Sequence, residues 1–153
     1  MKSNHKHSYM KDEMVSLPVG YLLERTTRVV KLKFRKTFSD LGIDITPEQW
    51  VILDTLHDNP GMLQKNLADS SFKDAPTISR ILDILSKKQW IMRLPHSEDK
   101  RAYKIMLTEE GITLYNTIKP EVNKLRAIGW HDLSKEDYDR FIIVIDKIFE
   151  NYS

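Results

Sequence analysis

The densest group of chemically active side chains in this sequence is a run of basic residues between Lys73 and Lys104. This window contains eight Lys and Arg residues against four Asp and Glu residues, a net charge of +4, whereas the whole chain carries only +2. Positive charge concentrated in one segment of a nearly neutral protein favours contact with a polyanion. An ordinary solvated face would show the same pattern, so charge alone leaves both interpretations open.

Other reactive side chains are sparse. The sequence has no Cys, so it offers no disulfides, thiolate metal ligands or cysteine nucleophiles. The pairs His57-Asp58 and His131-Asp132 come without a glycine-rich loop or a nucleophile motif, and we therefore expect no enzyme. His5 and His7 form an HxH pair that lacks further ligands nearby. We predict neither a metal site nor a cofactor.

The first two predicted helices lie well before the basic window. Apolar residues recur every three or four positions over 17–41, the period of an amphipathic helix, and Gly42 follows as a stop signal. Thr46, Pro47 and Gln49 have the spacing of a capped helix start. The first helix is longer than a compact domain of this size needs, which indicates that part of it packs on a partner subunit.

The rest of the helix-turn-helix and a hairpin should lie just before and within the basic window. We predict a short helix over 63–70 and a helix over 75–88 that begins after Asp74. Short β-prone runs over 90–94 and 102–107 flank the polar stretch PHSEDKR, a pattern typical of a β-hairpin with a charged tip.

Two further helices should complete the chain. Thr108 is a helix cap, and Pro120 lies inside the helix that follows and should kink it. Ser134 and Asp137 mark the start of the last helix, which is apolar over more than one face. A second subunit would cover the additional apolar surface.

This order of elements is typical of a winged helix-turn-helix. The fold class is therefore mainly α with a small β-hairpin wing. We expect a flexible tail over 1–15 and a single domain over 16–153. Within that domain, 46–108 form the winged helix-turn-helix, and 16–42 and 109–152 form dimerisation helices.

We expect a cytoplasmic protein with no membrane contact. No apolar run reaches the roughly 18 residues that a membrane span requires. The opening residues MKSNHKHSYMKDEM also lack the apolar segment of a secretory signal.

The stretch DKRAYKIMLTEEG combines the pattern D-x-R with L-T six residues after the Arg. Where it follows a helix-turn-helix, it resembles the MarR family of bacterial transcription regulators, and the resemblance extends over 19–119. It implies that Arg101 enters the DNA minor groove and that Asp99 holds it in position. The planar, always charged Arg side chain suits a narrow, electronegative groove. Without DNA, the same two residues would form a surface ion pair.

The resemblance also implies a recognition helix that starts with the sequence APTISR and enters the DNA major groove. Thr77, Ser79 and Arg80 are the leading candidates for base contacts, although Thr77 could be an ordinary helix-start hydroxyl. Asp83 should orient a neighbouring basic residue. The expected contacts are Ala75, Pro76, Thr77, Ser79 and Arg80 on the helix, Arg93, His96, Ser97, Asp99, Lys100 and Arg101 on the wing, and Gln64, Lys65, Lys73 and Lys87 at phosphates.

Two positions depart from the family pattern. Leu63 stands where a Ser or Thr usually opens the third helix, so that cap and its phosphate contact are in doubt. Gln89 stands where Gly usually follows the recognition helix, and Gln adopts a left-handed conformation less readily than Gly. We therefore expect the turn into the wing to differ.

By resemblance, the protein is a homodimer that binds a pseudo-palindromic operator in double-stranded DNA. It would be a repressor released by a small, often anionic aromatic effector. The lining of the effector pocket would come from Tyr21, Arg25, Arg28, Phe34, Trp50, His57 and Tyr115. Two alternatives stay open: a winged helix that docks another protein without specific DNA binding, and a metal-sensing regulator.

Overall fold

The structure, a computed structural model, describes residues 19–71, 73–99 and 102–153. Within these residues six helices and three strands follow one another along the chain. The helices are α1 (Val19–Asp40), α2 (Pro47–Asp58), α3 (Gln64–Ser71), α4 (Ala75–Lys87), α5 (Glu109–Gly129) and α6 (Lys135–Tyr152). The strands are β1 (Met62–Leu63), β2 (Ile91–Pro95) and β3 (Tyr103–Leu107). The predicted fold class, mainly α with a β-hairpin wing, is confirmed.

Several predictions fall on residues that the structure does not describe. The predicted N-terminal tail over 1–15, with His5 and His7, lies outside the described residues. Lys100 and Arg101, which the sequence assigns to the wing, also lie outside the described residues.

Side-chain caps fix the starts of four helices. The Thr46 hydroxyl accepts a hydrogen bond from the Gln49 backbone N–H at 3.2 Å, and Gln49 Oε1 accepts one from the Thr46 N–H at 3.2 Å. Ser134 forms the equivalent reciprocal box at α6. Asp74 caps α4, and Thr108 caps α5. These caps satisfy backbone donors that a helix start leaves unpaired.

The three strands form one antiparallel sheet in the order β1-β3-β2. Ile105 in the central strand is opposite Met62 on one side and Arg93 on the other. The sequence does not predict β1, because two residues are too few to show an alternating apolar pattern. This strand ties the segment before α3 to the base of the wing.

The hydrophobic core lies beneath the helix-turn-helix and the inner face of the wing. Its fully buried residues come from every layer: Phe38, Trp50, Ile52, Leu53, Leu56, Leu67, Ile78, Leu82, Leu85, Ile105, Ile118 and Val122. α5 therefore packs against the winged helix-turn-helix through part of one face. No helix in the described ranges is long and apolar enough to cross a membrane.

The two ends of the described chain present apolar side chains to solvent. None of the residues of α6 is buried, and Ile143 is 70% exposed. α1 buries only Phe38, while its Val29 is 67% exposed. Trp130 makes edge contacts with Tyr138 and Phe141, at ring-centroid distances of 4.7 and 5.7 Å. The additional apolar surface predicted from the sequence is present on both helices.

Candidate nucleic-acid interface

A groove separates α3 and α4 from the wing. Its volume is about 1140 Å³, and its lining includes seven of the residues predicted to contact DNA: Gln64, Lys65, Lys73, Ala75, Ser79, Arg93 and Asp99. The two helices α3 and α4, together with the wing, thus bring these side chains to one concave face. Leu63 lies in the same groove and cannot supply the hydroxyl cap that the family pattern places there.

The exposed side of α4 carries the predicted base-contacting residues. Ala75, Pro76 and Arg80 are exposed, and Thr77 and Ser79 are half-buried. The Thr77 backbone N–H donates to Asp74 Oδ1 at 2.6 Å. This hydrogen bond lowers the pKa of Asp74, to which the positive charge of Arg80 also contributes. Arg80 forms no ion pair with any described residue, which leaves its guanidinium available to a ligand.

An ion pair joins the wing to the recognition helix. Arg93 Nη2 on β2 lies 2.7 Å from Asp83 Oδ1 on α4. The sequence predicts that Asp83 orients a neighbouring basic residue, and the structure pairs it with Arg93. The Arg93 Nε atom is buried without a hydrogen-bond partner in the described chain. Arg93 therefore holds the wing against α4 while it lines the groove.

His96 shapes the tip of the wing. Its Nδ1 accepts hydrogen bonds from the backbone N–H groups of Glu98 and Asp99, each at 3.3 Å. Its backbone N–H donates to the Ala102 carbonyl at 3.0 Å. Ser97 and Asp99 are exposed at this tip. His96 thus acts mainly on the backbone of the described part of this tip.

The four predicted phosphate contacts divide into two groups. Gln64, Lys65 and Lys73 line the groove, whereas Lys87 is exposed in the last turn of α4 and does not line it. A contact from Lys87 would therefore be made from the far end of the recognition helix.

The turn into the wing is held by α5. Gln89 has a left-handed backbone with φ of +60°, so the expectation that Gln would change this turn is wrong. Thr108 explains the result, because its hydroxyl donates to the Gln89 carbonyl at 2.6 Å and its N–H donates to the Trp90 carbonyl at 3.1 Å. Gly111 approaches Trp90 so closely that a Cβ atom would overlap its carbonyl oxygen.

Asp54 on α2 binds three donors from α5. Its carboxylate accepts hydrogen bonds from Tyr115 Oη at 3.0 Å, Lys119 Nζ at 2.7 Å and Arg126 Nη2 at 3.0 Å. Burial raises the pKa of this carboxyl, but the three hydrogen bonds outweigh burial and lower the pKa below its ordinary value. The donors are spaced four and seven residues apart, so they share one face of α5. This network anchors the winged helix-turn-helix to the long helix.

A second cavity, of about 420 Å³, lies between α1 and α2. It combines an aromatic and aliphatic wall with three basic side chains and one acidic side chain. The residues that line it are Thr26, Thr27, Val30, Lys31, Phe34, Pro47, Glu48, Trp50, Val51, Ser71, Lys73 and Arg126. The Nε1 atom of Trp50 is buried without a partner among the described residues.

The predicted effector residues separate into three locations. Phe34 and Trp50 line this cavity. Tyr115 is buried in a stack between Trp50 and His57, at centroid distances of 5.2 and 3.9 Å, and does not line the cavity. Tyr21, Arg25 and Arg28 are exposed on α1, where Arg25 borders a separate shallow depression with Thr26, Val29 and Val30.

Sequence reasoning missed the polar half of the cavity. Lys31, Glu48 and Arg126 come from three distant parts of the chain, and nothing in their local sequence connects them. One usable signal exists on α5, where Tyr115, Lys119 and Arg126 recur on one helical face. In the described ranges, no three His, Asp or Glu residues cluster as metal ligands would.

The helix-turn-helix, the β-hairpin wing and the basic groove between them together define a winged helix-turn-helix protein. Residues 45–103 match the model of the MarR family. The resemblance to the MarR family predicted from the sequence is thus confirmed over this part of the chain.

Three solved structures share the fold over nearly the whole chain. The MepR–DNA complex from S. aureus has a TM-score of 0.83 at 24% identity and covers 90% of this chain and 100% of its own. A MarR mutant from E. coli, complexed with operator DNA, has a TM-score of 0.78 at 22% identity. The match covers 86% of this chain and 94% of the MarR chain. PcaV from Streptomyces coelicolor, in complex with its natural ligand, has a TM-score of 0.78 at 18% identity. The match covers 92% of this chain and 96% of the PcaV chain.

Proposed function

We propose that this protein is a homodimeric repressor that binds a pseudo-palindromic site in double-stranded DNA and is released by a small anionic aromatic effector. The observation that carries the proposal is the groove between α3, α4 and the wing. It gathers basic and polar side chains on one concave face of a winged helix-turn-helix. The relatives captured on DNA have the same fold.

Base recognition would come from the exposed side of α4 in the major groove. Arg80 has an unpaired guanidinium among the described residues, and a bidentate contact between Arg and guanine contributes about 1 to 3 kcal/mol of discrimination. Thr77 and Ser79 would read neighbouring base edges. Arg101 would enter the adjacent minor groove, with Asp99 and His96 shaping the wing behind it.

Phosphate contacts would set the position of the protein on the duplex without selecting a sequence. Lys65 and Lys73 in the groove, and Lys87 at the end of α4, are suited to this role. Each phosphate neutralised steepens the fall of log affinity with log salt by about 0.9.

Dimerisation would cover the apolar surfaces of α1 and α6. Two-fold symmetry then places two recognition helices in successive major grooves, about 10 to 10.5 base pairs apart. The effector would occupy the cavity between α1 and α2, where an aromatic wall of Phe34 and Trp50 faces the cations Lys31, Lys73 and Arg126. It would act through different affinities for the two dimer arrangements.

The first experiment is selection of bound duplexes from a random library by the purified protein, followed by affinity measurements against salt. We expect enrichment of an imperfect palindrome and a steep salt dependence. Failure to enrich any sequence, including after unfolding and refolding to remove a bound ligand, would favour the protein-docking alternative.

Two substitutions separate the roles of helix and wing. Arg101→Ala should weaken binding to all DNA and remove the minor-groove footprint. Arg80→Ala should instead relax preference at one base position. If Arg80→Ala lowered the affinity for specific and for random DNA equally, Arg80 would instead be assigned to a phosphate contact.

A further inference from the structure

Lys73 lies at the boundary of two concave regions. It lines the groove between α3, α4 and the wing, and it also lines the cavity between α1 and α2. Within the described ranges, no other residue borders both. A molecule in the cavity and a DNA phosphate in the groove would therefore approach the same side chain from two directions.

The other cations of the cavity already have partners. Lys31 Nζ lies 2.8 Å from Glu48 Oε1, and Arg126 Nη2 lies 3.0 Å from Asp54 Oδ2. Lys73 forms no ion pair with any residue that the structure describes. Of the three cations that line the cavity, Lys73 is thus the one without an ion pair among the described residues, and an entering anion would be attracted to it.

The backbone around Lys73 leads directly into the recognition helix. Its N–H donates to the Ala68 carbonyl of α3 at 3.3 Å. The next residue, Asp74, caps α4 through the Thr77 N–H. A change in the position of Lys73 would therefore be transmitted to the start of α4.

We propose that Lys73 is shared between two ligands: it neutralises a DNA phosphate in one state and the acidic group of a ligand in the α1–α2 cavity in the other. This inference rests on the proposed function and supplies its regulatory link. Because one ammonium cannot remain against both anions, each ligand lowers the affinity for the other. Such coupling is reciprocal, with typical factors of about 5 to 150.

The test measures the DNA dissociation constant of the full chain at constant ionic strength, using the duplex from the selection. Benzoate, 2-naphthoate and 4-phenylbenzoate are compared with their neutral amides. We expect the carboxylates to weaken DNA binding about five-fold or more, and the amides to have little effect. In Lys73→Gln, DNA affinity should fall without any carboxylate, and most of the further weakening by carboxylate should disappear.

Lys65→Gln is the matched control, because Lys65 lines the groove but not the cavity. It should lose a similar amount of DNA affinity and keep the full carboxylate response. Calorimetry on the free proteins should also show weaker carboxylate binding by Lys73→Gln than by Lys65→Gln. Thermal unfolding establishes that both variants are folded.

The outcomes separate this inference from the proposal on which it rests. If Lys73→Gln and Lys65→Gln respond equally to carboxylate, or bind it equally well, Lys73 is not shared, while effector regulation stands. If no carboxylate changes DNA binding by the unsubstituted protein, release by an acidic aromatic effector is rejected together with this inference. DNA binding itself is established or rejected independently by the selection.

Discussion

Gln89 shows how a single residue can retain a conformation that its side chain disfavours. Its φ of +60° lies in the left-handed region, where a residue with a Cβ atom is less stable by about 1 to 2 kcal/mol. The hydrogen bonds from Thr108 fix the carbonyl group of Gln89 and that of the next residue, Trp90. The tertiary contact therefore overrides the local preference.

Replacing Gln89 by Gly should stabilise the protein. Gly adopts positive φ without steric cost, so we expect the free energy of unfolding to rise by about 0.5 to 1 kcal/mol. Urea denaturation measures the change. Gln89→Ala removes the side chain but keeps the Cβ atom, and it should give no stabilisation. An equal gain in both variants would show that the side chain, and not the backbone, is unfavourable.

Asp54 should make stability depend on acidity in a defined direction. Hydrogen bonds hold the pKa of its carboxyl below the ordinary 3.8, despite burial. Its stabilising contribution is therefore complete above pH 3.8 and is lost as pH falls through the lower pKa of the folded state. We expect Asp54→Asn to reduce the free energy of unfolding by about 1 to 2 kcal/mol at neutral pH, with a smaller deficit at more acidic pH.

Urea denaturation of both proteins from strongly acidic to neutral pH checks this expectation. Asp58→Asn is the control, because Asp58 is exposed and its carboxylate pairs with the adjacent His57 and not with α5. A constant difference between Asp54→Asn and the unsubstituted protein at all pH values would contradict the role of the carboxylate charge.

At the scale of the elements, helix starts were predictable because they depend on local hydrogen bonds. Thr46 and Ser134 each satisfy backbone donors within three residues, so the sequence contains the complete signal. β1 depends instead on pairing with β3, more than forty residues later, and left no local pattern. The same distinction separates the exposed residues of α4, whose positions follow from the helical period, from the lining of the cavity, which depends on distant segments.

The cavity could be predicted only in part. Phe34 and Trp50 were recognisable as aromatic residues on adjacent helices, but aromatic residues at helical spacing are more often part of the core. Tyr115 is such a core residue. The cations of the cavity depend on how α1, α2 and α5 pack together, and that packing leaves no signal in a single sequence.

The junction between the wing and α5 should tolerate no side chain at Gly111. A Cβ atom there would overlap the Trp90 carbonyl, so we expect Gly111→Ala to lower the free energy of unfolding by about 2 kcal/mol or more. Gly129 is the control, because it ends the same helix with no heavy atom near the position that a Cβ atom would take. Gly129→Ala should be neutral or slightly stabilising. Equal melting temperatures for the two variants would contradict the close approach.

At the scale of the whole molecule, no residue of α6 is buried against the rest of the described chain. Its apolar residues are exposed along the helix, and those of α1 are exposed at the other end of the chain. An exposed apolar surface of this kind is typical of an interface. A two-fold dimer through these helices would also fix the spacing of the two recognition helices.

A charge on this surface should separate the subunits. Ile143 is 70% exposed on α6, so Ile143→Asp should leave the fold of the chain intact but place an unpaired charge in the proposed dimer interface. Sedimentation velocity should show a monomer, and affinity for the palindromic duplex should fall by about ten-fold or more. Met92→Asp, on the wing, should remain dimeric. A dimeric Ile143→Asp would place the interface elsewhere.

Trp50, which stacks on Tyr115, gives the molecule an intrinsic fluorescence signal. Trp50 is only 1% exposed, whereas Trp90 and Trp130 are half-buried, so its indole should emit at the shortest wavelength of the three. Because Trp50 also lines the cavity between α1 and α2, a bound aromatic molecule will quench or shift that emission. Filling of the cavity can therefore be followed by fluorescence in the intact protein without an attached dye.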